Sequence, residues 1–356
     1  MRSVLVVVTR QIGDVLLTTP LVRAARETWP QARIDVLGFT GTLGMLRGNP
    51  DINTLIEVPA RPGKGGTLRL ARRLRGKYDL ALIADPGDRA HLIGYMAARK
   101  RSGLLSAEGG SNWWKKLLLK HAVPSAGDRG DVHVVREKVE LLAPWRPDGG
   151  VPALVPPQAM PLPPGLQQQL AAGYIVMHTP SMWPYKQWPL AHFRTLATLL
   201  ATAGKQVVLT GSMGAHDRTC IAAMQGAAPP GLLVDAGELS FNQLVTLLQG
   251  AALYIGPDTS VSHLAAACAT PVLAIFGPTN PQRWAPWPAG ASQVQFVRRA
   301  EAQTVGNVTL LQSMMPCVPC GRAGCEDHRQ SPTECLPGIE PGRVAAEALE
   351  ILGGAR

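Results

Sequence analysis

Residues Gly256 to Trp284 read GPDTSVSHLAAACATPVLAIFGPTNPQRW. The apolar run Leu253–Ile255 feeds this stretch. A polar turn follows, then a helical pattern from Ser260 to Cys268, then a second apolar run, Val272–Phe276. Strand, helix and strand within so few residues describe a parallel pair with its crossover. Asp258, Thr259 and Ser260 are all residues that favour the helix N-cap. A helix begun there aims unpaired N–H groups and its positive end at the strand tip, which suits a diphosphate. Ala265, Ala266, Ala267 and Cys268 are small, so the helix can press closely on the sheet, and His263 falls within reach of the same anion. An ordinary capped helix carrying a surface histidine satisfies the same local rules. The continuation weighs against it, because Val272–Phe276 ends directly in Gly277-Pro278-Thr279-Asn280-Pro281, a second rigid loop at the same sheet edge.

Working outward, the pattern repeats on both sides. Ser3–Val8, Arg33–Leu37, Thr54–Val58 and Leu80–Ala84 read as strands, Val15–Thr28 as a helix, and Glu137–Leu142 as part of another. Between Pro144 and Pro164 eight prolines and the pair Gly149-Gly150 exclude a helix or a central strand. Beyond them Tyr174–His178, Gln206–Thr210 and Leu232–Val234 read as strands, with helices over His192–Ala203 and Phe241–Gln249. The organisation expected is an α/β chain of two doubly wound domains. Residues 1–150 form the first, 151–168 a proline-rich linker, 169–340 the second, and 341–356 a terminal helix of unassigned domain. Ligands are expected at the carboxyl ends of the strands.

The chain has 356 residues, 46% hydrophobic and 17% charged, ample for two cores. Val4–Val8 is too short for the apolar region of a signal peptide, and no uncharged run reaches the roughly 18–20 apolar residues of a membrane span. The expectation is a cytoplasmic protein. Its net charge of +10 is lopsided: residues 1–150 hold 24 Lys and Arg against 14 Asp and Glu, whereas 151–356 hold 11 against 11. Such a half attracts a polyanion, whether nucleic acid, phosphorylated substrate or anionic membrane, or else serves only solubility.

The two segments Asp258–Ala267 and Thr270–Trp284 together resemble the C-terminal signature of glycosyltransferase family 9, the ADP-heptose:lipopolysaccharide heptosyltransferases. Ser260 stands where the family usually has Gly, so a small residue is kept. The N-terminal loop Thr9-Arg10-Gln11-Ile12-Gly13-Asp14 carries the family's Gly-Asp pair. On local grounds Gly13 permits a tight turn and Asp14 suits a helix N-cap. The resemblance implies instead that Asp14 is the general base for the acceptor hydroxyl. It also implies a GT-B architecture, with two Rossmann-like domains facing across a cleft, and an inverting, metal-independent transfer of heptose from ADP-heptose to the lipopolysaccharide inner core.

Stabilising a departing diphosphate requires positive groups. In His178-Thr-Pro-Ser-Met-Trp-Pro-Tyr-Lys-Gln-Trp-Pro189, Thr179 and Ser181 supply hydroxyls and Lys186 a mobile point charge. Lys-x-Trp-Pro is the family's form, and Lys186 matches its phosphate-binding lysine. With Asp258, Thr259, Ser260 and His263 these residues make up the expected donor-phosphate site. Gly211, at another strand tip, and Asp235 and Glu238, after a further strand, are candidates for the nucleotide or its ribose; a common turn and solvated carboxylates are the plain alternatives.

Cys317, Cys320, Cys325 and Cys335 are spaced C-x2-C-x4-C-x9-C. In a cytoplasmic protein that grouping suits a tetrahedral structural zinc or, less well, an iron–sulfur cluster, though the spacing matches no standard finger and unmetallated thiols are the alternative. No cofactor is expected in catalysis. The basic segment Arg61–Lys77, with Lys64, Arg69, Arg72, Arg73 and Arg75, and the piece Trp113-Trp114-Lys115-Lys116-Leu117-Leu118-Leu119-Lys120 suit an anionic surface. By resemblance the partners are an ADP-sugar, a lipid-anchored phosphorylated oligosaccharide and the inner leaflet of the membrane, with no nucleic acid. Two rivals remain: an enzyme of similar architecture using a different nucleotide sugar, and a basic, zinc-containing nucleic-acid-binding protein.

Overall fold

A computed structural model describes residues 1–61, 63, 65–106, 112–127, 130–293 and 295–354. Lys64 of the basic segment lies outside the described residues. The chain divides into two compact units: Met1–Pro157 with Gly290–Gln293, and Gln158–Ala289 with Val294–Arg356. Between them residues 151–163 have no regular secondary structure. The prolines leave backbone groups that are met from nearby helices. Thr19 Oγ1 accepts from Val155 N at 3.0 Å, and Asn242 O accepts from Met160 N at 3.1 Å.

Among the described residues the first unit carries a six-stranded sheet of β1 (Ser3–Val8), β2 (Arg33–Phe39), β3 (Thr54–Val58), β4 (Tyr78–Ile83), β5 (Ala98–Ser106) and β6 (His121–Ser125). The order is β3-β2-β1-β4-β5-β6, all parallel. Val4–Val8 are fully buried because helices cover both faces of β1, so the run is continuously apolar rather than alternating. β5 and β6 escape the sequence pattern for identifiable reasons. After Ala98, β5 runs through Arg99, Lys100 and Arg101, and β6 contains Pro124, which an edge strand tolerates.

The second unit carries β7 (Ile175–His178), β8 (Val207–Thr210), β9 (Leu233–Asp235), β10 (Leu253–Pro257), β11 (Val272–Phe276), β12 (Ala302–Val305) and β13 (Val308–Gln312). Their order is β12-β13-β11-β10-β7-β8-β9. Numbered from its own first strand, this repeats the order of the first sheet, with the antiparallel β12 added at one edge. β12 and β13 were not expected. They form a hairpin through Gly306-Asn307, where Gly306 has φ 59°, a turn signal that favours such a connection.

One expectation about helices is corrected, and one left open is filled in. The single helix over Val15–Thr28 is two, Ile12–Leu16 and Thr19–Thr28, because Pro20 cannot sit in a helix interior and starts the second one. The terminal helix, Pro341–Gly354, belongs to the second unit, where Val344, Ala345 and Ala348 enter the core with Trp188, Phe193, Leu273 and Leu336. Among the described residues no helix is long and apolar enough to cross a membrane.

In each sheet the order reverses beside the first strand, between β1 and β4 and between β7 and β10. Crossovers there leave the sheet in opposite directions, which opens a crevice at the strand tips.

Candidate active site

In the second unit, the turns after β7 and β10 meet at the reversal point. Lys186 ends a short 3-10 turn, Pro184–Lys186, and its Nζ lies 2.6 Å from Asp258 Oδ2 at the tip of β10. Burial pushes the Asp258 carboxyl up. The Lys186 ammonium, His263 and hydrogen bonds from Lys186 and Thr279 outweigh it and hold the group below the usual carboxylate range. Asp258 is therefore an anion that secures a cation across the crevice. Thr279 comes from the Gly-Pro-Thr loop after β11, so both loops singled out in the sequence converge on one carboxylate.

Thr259 occupies the N-cap position of the helix Ser260–Ala267 in extended geometry, yet no side chain among the described residues caps it. The first-turn N–H groups are thus left to another acceptor. Gly256 is required just before it: an added Cβ would stand 2.3 Å from Tyr254 Oη, which is 3.0 Å from Ser262 Oγ. His263 is buried beside Asp258.

The loop after β7 is organised by a residue the sequence reading passed over. Gln187 Nε2 donates to Thr179 O at 2.8 Å and Gln187 Oε1 accepts from Ser181 N at 2.9 Å. The Ser181 hydroxyl turns inward to Trp183 O at 3.2 Å, whereas the fully buried Thr179 hydroxyl has no hydrogen-bond partner among the described residues.

At the tip of β8, Gly211 packs against Asp217, whose Oδ2 accepts from Ser212 N at 2.7 Å. Asp217, at the start of the helix Ala215–Ala222, is the carboxylate beside this turn and was not singled out from sequence. Asp235 is otherwise engaged, with Arg218 Nη2 2.6 Å from its Oδ2 and Gly237 N donating to Oδ1 at 2.9 Å. Glu238 is exposed.

In the first unit Asp14 lies within the first turn of the helix Ile12–Leu16, and Gln11 holds the N-cap. The capping alternative for Asp14 is thereby excluded, and Gly13 sits in the helix rather than in a tight turn. The carboxylate lies 3.7 Å from Arg10 Nε and 3.8 Å from Lys138 Nζ. Lys138 is buried on the helix Val134–Glu140 and donates to Asp14 O at 2.6 Å and Thr18 Oγ1 at 3.0 Å. Burial pushes its ammonium down to about 8, against the pull of Asp14. Across the reversal point the Thr9 hydroxyl donates to Asp85, whose other oxygen accepts from Gly87 N at 2.9 Å. Lys138 and Asp85 lie far from Asp14 in sequence, with no local signal linking them.

Among the described residues no group of three or more His, Cys, Asp or Glu is arranged to hold a metal. The zinc expected at Cys317, Cys320, Cys325 and Cys335 is therefore not supported. Cys335 is buried, with its thiol pushed up to about 11, while Cys317 and Cys325 are exposed. The segment acts as a buttress: Gly277 has Cys335 Sγ 3.3 Å from its Cβ position, and Gly321 N donates to Pro278 O at 2.8 Å.

The solved structure of E. coli ADP-heptose lipopolysaccharide heptosyltransferase II superimposes with a TM-score of 0.72 over 99% of this chain and 99% of that one, at 21% identity. E. coli heptosyltransferase WaaC, solved with ADP-2-deoxy-2-fluoro heptose, gives 0.67 over 98% and 99%, at 20% identity. The fold is thus the α/β, GT-B type. The sequence model of glycosyltransferase family 9 (heptosyltransferase) matches residues 67–314, and this chain belongs to that family. It is 31% identical over 301 residues to lipopolysaccharide heptosyltransferase 3 of Escherichia coli, covering 80% of this chain and 85% of that protein. Membership sets aside the nucleic-acid-binding rival.

Proposed function

We propose that this enzyme transfers a heptose from ADP-heptose to the inner core of lipopolysaccharide, with inversion and without a metal. The observation that carries the reading is the Lys186–Asp258 pair at the β7–β10 reversal point, with Thr179 in the turn directly after β7. A diphosphate arriving there meets an ammonium, a hydroxyl and the open N–H groups of the helix Ser260–Ala267. Thr259, Ser260 and His263 border that position, and Ser181 shapes the loop. The names of the relatives support the donor and acceptor classes.

Asp14 acts as general base. The acceptor oxygen attacks the anomeric carbon, the bond from that carbon to the β-phosphate oxygen breaks, ADP departs, and the hydroxyl proton passes to Asp14. A single displacement inverts the anomeric centre. A carboxylate is a weak base for a hydroxyl, so most of the barrier falls to stabilising the departing ADP, which is the task of Lys186.

The acceptor is a phosphorylated, lipid-anchored oligosaccharide, met by the basic first unit through exposed Arg69, Arg72 and Arg73. Trp113 and Leu117 are 67% and 76% exposed beside Lys116 and Lys120, a surface suited to the anionic cytoplasmic leaflet of the inner membrane. The test is release of ADP from ADP-heptose in the presence of truncated lipid A–core acceptors. Turnover with a UDP-sugar and none with ADP-heptose would sink the donor assignment, and turnover abolished by EDTA would sink metal independence.

A further inference from the structure

Gln312 ends β13 with its side chain fully buried, and neither amide atom has a hydrogen-bond partner among the described residues. Leaving a buried primary amide unpaired is costly, so such a group in a core strand calls for a ligand or a reason.

Its position indicates which ligand. Gln312 pairs with Phe276, Leu310 with Ala274, and Ala274 with Gly256, so alternation puts Gln312 and Gly256 on one face of the sheet. Tyr254, two residues before Gly256, shares that face and meets Ser262 of the helix Ser260–Ala267. The opposite face, with Leu273, Ile275 and Leu311, is sealed in the core against Trp188 and Val344. Gln312 therefore points to the side of the sheet that carries the helix expected at the diphosphate, and it does so at the strand tips.

The strand order leaves room for a donor to lie along this edge. β8, with Gly211 and Asp217 at its tip, lies on one side of the β7–β10 reversal point; β11 and β13 lie on the other. With the nucleoside towards β8 and the diphosphate at Lys186, the glycosyl group extends over β11 and β13. Strands lie about 4.8 Å apart, which puts the tip of β13 about 10 Å from that of β10, within reach of a sugar ring joined to the β-phosphate.

We propose that Gln312 is a specificity-determining residue that reads hydroxyl groups of the donor's sugar. A primary amide offers one acceptor and two donors, the complement of two neighbouring hydroxyls. This inference rests on the donor reading above.

Calorimetric titration of wild type, Gln312→Met and Gln312→Ala with ADP and with ADP-heptose tests it. The expected result is unchanged ADP affinity with ADP-heptose weakened about tenfold in both variants, and Gln312→Met melting no lower than wild type, because an unpaired buried amide has been removed. Variants that keep the wild-type preference for ADP-heptose over ADP would overturn the inference. So would equal loss of both ligands, a wild type that binds ADP-heptose no tighter than ADP, or failure of both variants to fold, each of which makes the amide structural. A wild type that binds neither ligand overturns the donor reading itself, and the inference falls with it.

Discussion

Lys186 Nζ stands 2.6 Å from Asp258 Oδ2, and the pair ties the turn after β7 to the tip of β10. Lys186→Met is expected to lower kcat/KM for ADP-heptose about 10²–10³-fold, as losing one preorganised transition-state donor does. Lys186→Arg should recover only part of it, since a planar fork does not replace a point charge. Steady-state kinetics with a fixed acceptor check both. Asp258→Asn strands a half-buried ammonium and is expected to cost about 3 kcal/mol in urea unfolding.

The same carboxylate sets an acid limit. Its pKa is depressed in the folded chain, so its contribution is complete above the unfolded value of about 4 and is lost as pH falls through the lower folded value. Urea midpoints of wild type and Asp258→Asn should therefore converge below about pH 4. Curves that stay parallel would remove Asp258 from this role.

Lys138 gives an alkaline signature of opposite sense. Its folded pKa of about 8 lies below the unfolded value near 10.5. Between the two the unfolded chain holds more protons, so stability should rise with pH across that window, and the rise should vanish in Lys138→Met. If the charge beside Asp14 serves the reaction, kcat falls above about pH 8 in wild type, and Lys138→Arg, which stays charged, moves that limb upward.

Asp14→Asn should lower kcat about 10²–10⁴-fold while leaving the KM for ADP-heptose within a factor of about three. Near wild-type turnover would remove Asp14 as the base.

Gly256→Ala places a Cβ 2.3 Å from Tyr254 Oη and is expected to destabilise the fold by about 1–3 kcal/mol in chemical unfolding. Tyr254→Phe removes the clashing oxygen, so the double variant should recover part of the loss; strict additivity would place the strain elsewhere.

For the exposed Trp113 and Leu117, replacement of both by Ser should reduce co-sedimentation with anionic phospholipid vesicles several-fold at low salt, without changing ADP affinity. Unchanged sedimentation would leave that face to another purpose.

Much of the fold was legible from pattern. Val4–Val8 and Val272–Phe276 are buried on both faces, and continuous apolar runs survive in any sequence that must fill a parallel sheet. β5, whose first half carries Arg99, Lys100 and Arg101, and the short β12–β13 hairpin were not legible, because charged residues in the one and turn chemistry in the other replace hydrophobic pattern there. The helix Val15–Thr28 misled in a different way: Pro20 continues the periodicity while breaking the backbone.

By itself, the sequence determined two doubly wound halves, their family and the loops that carry Asp14, Lys186 and Asp258, since local propensity and motif spacing act over short distances. Only the tertiary structure decided which of those side chains meet. It paired Lys186 with Asp258 and Lys138 with Asp14, gave Asp235 to Arg218, turned Ser181 inward while leaving Thr179 spare, and buried Gln312 without a partner. The reason is physical. A contact between residues about 70 or 120 positions apart depends on strand order and register, which no local pattern encodes.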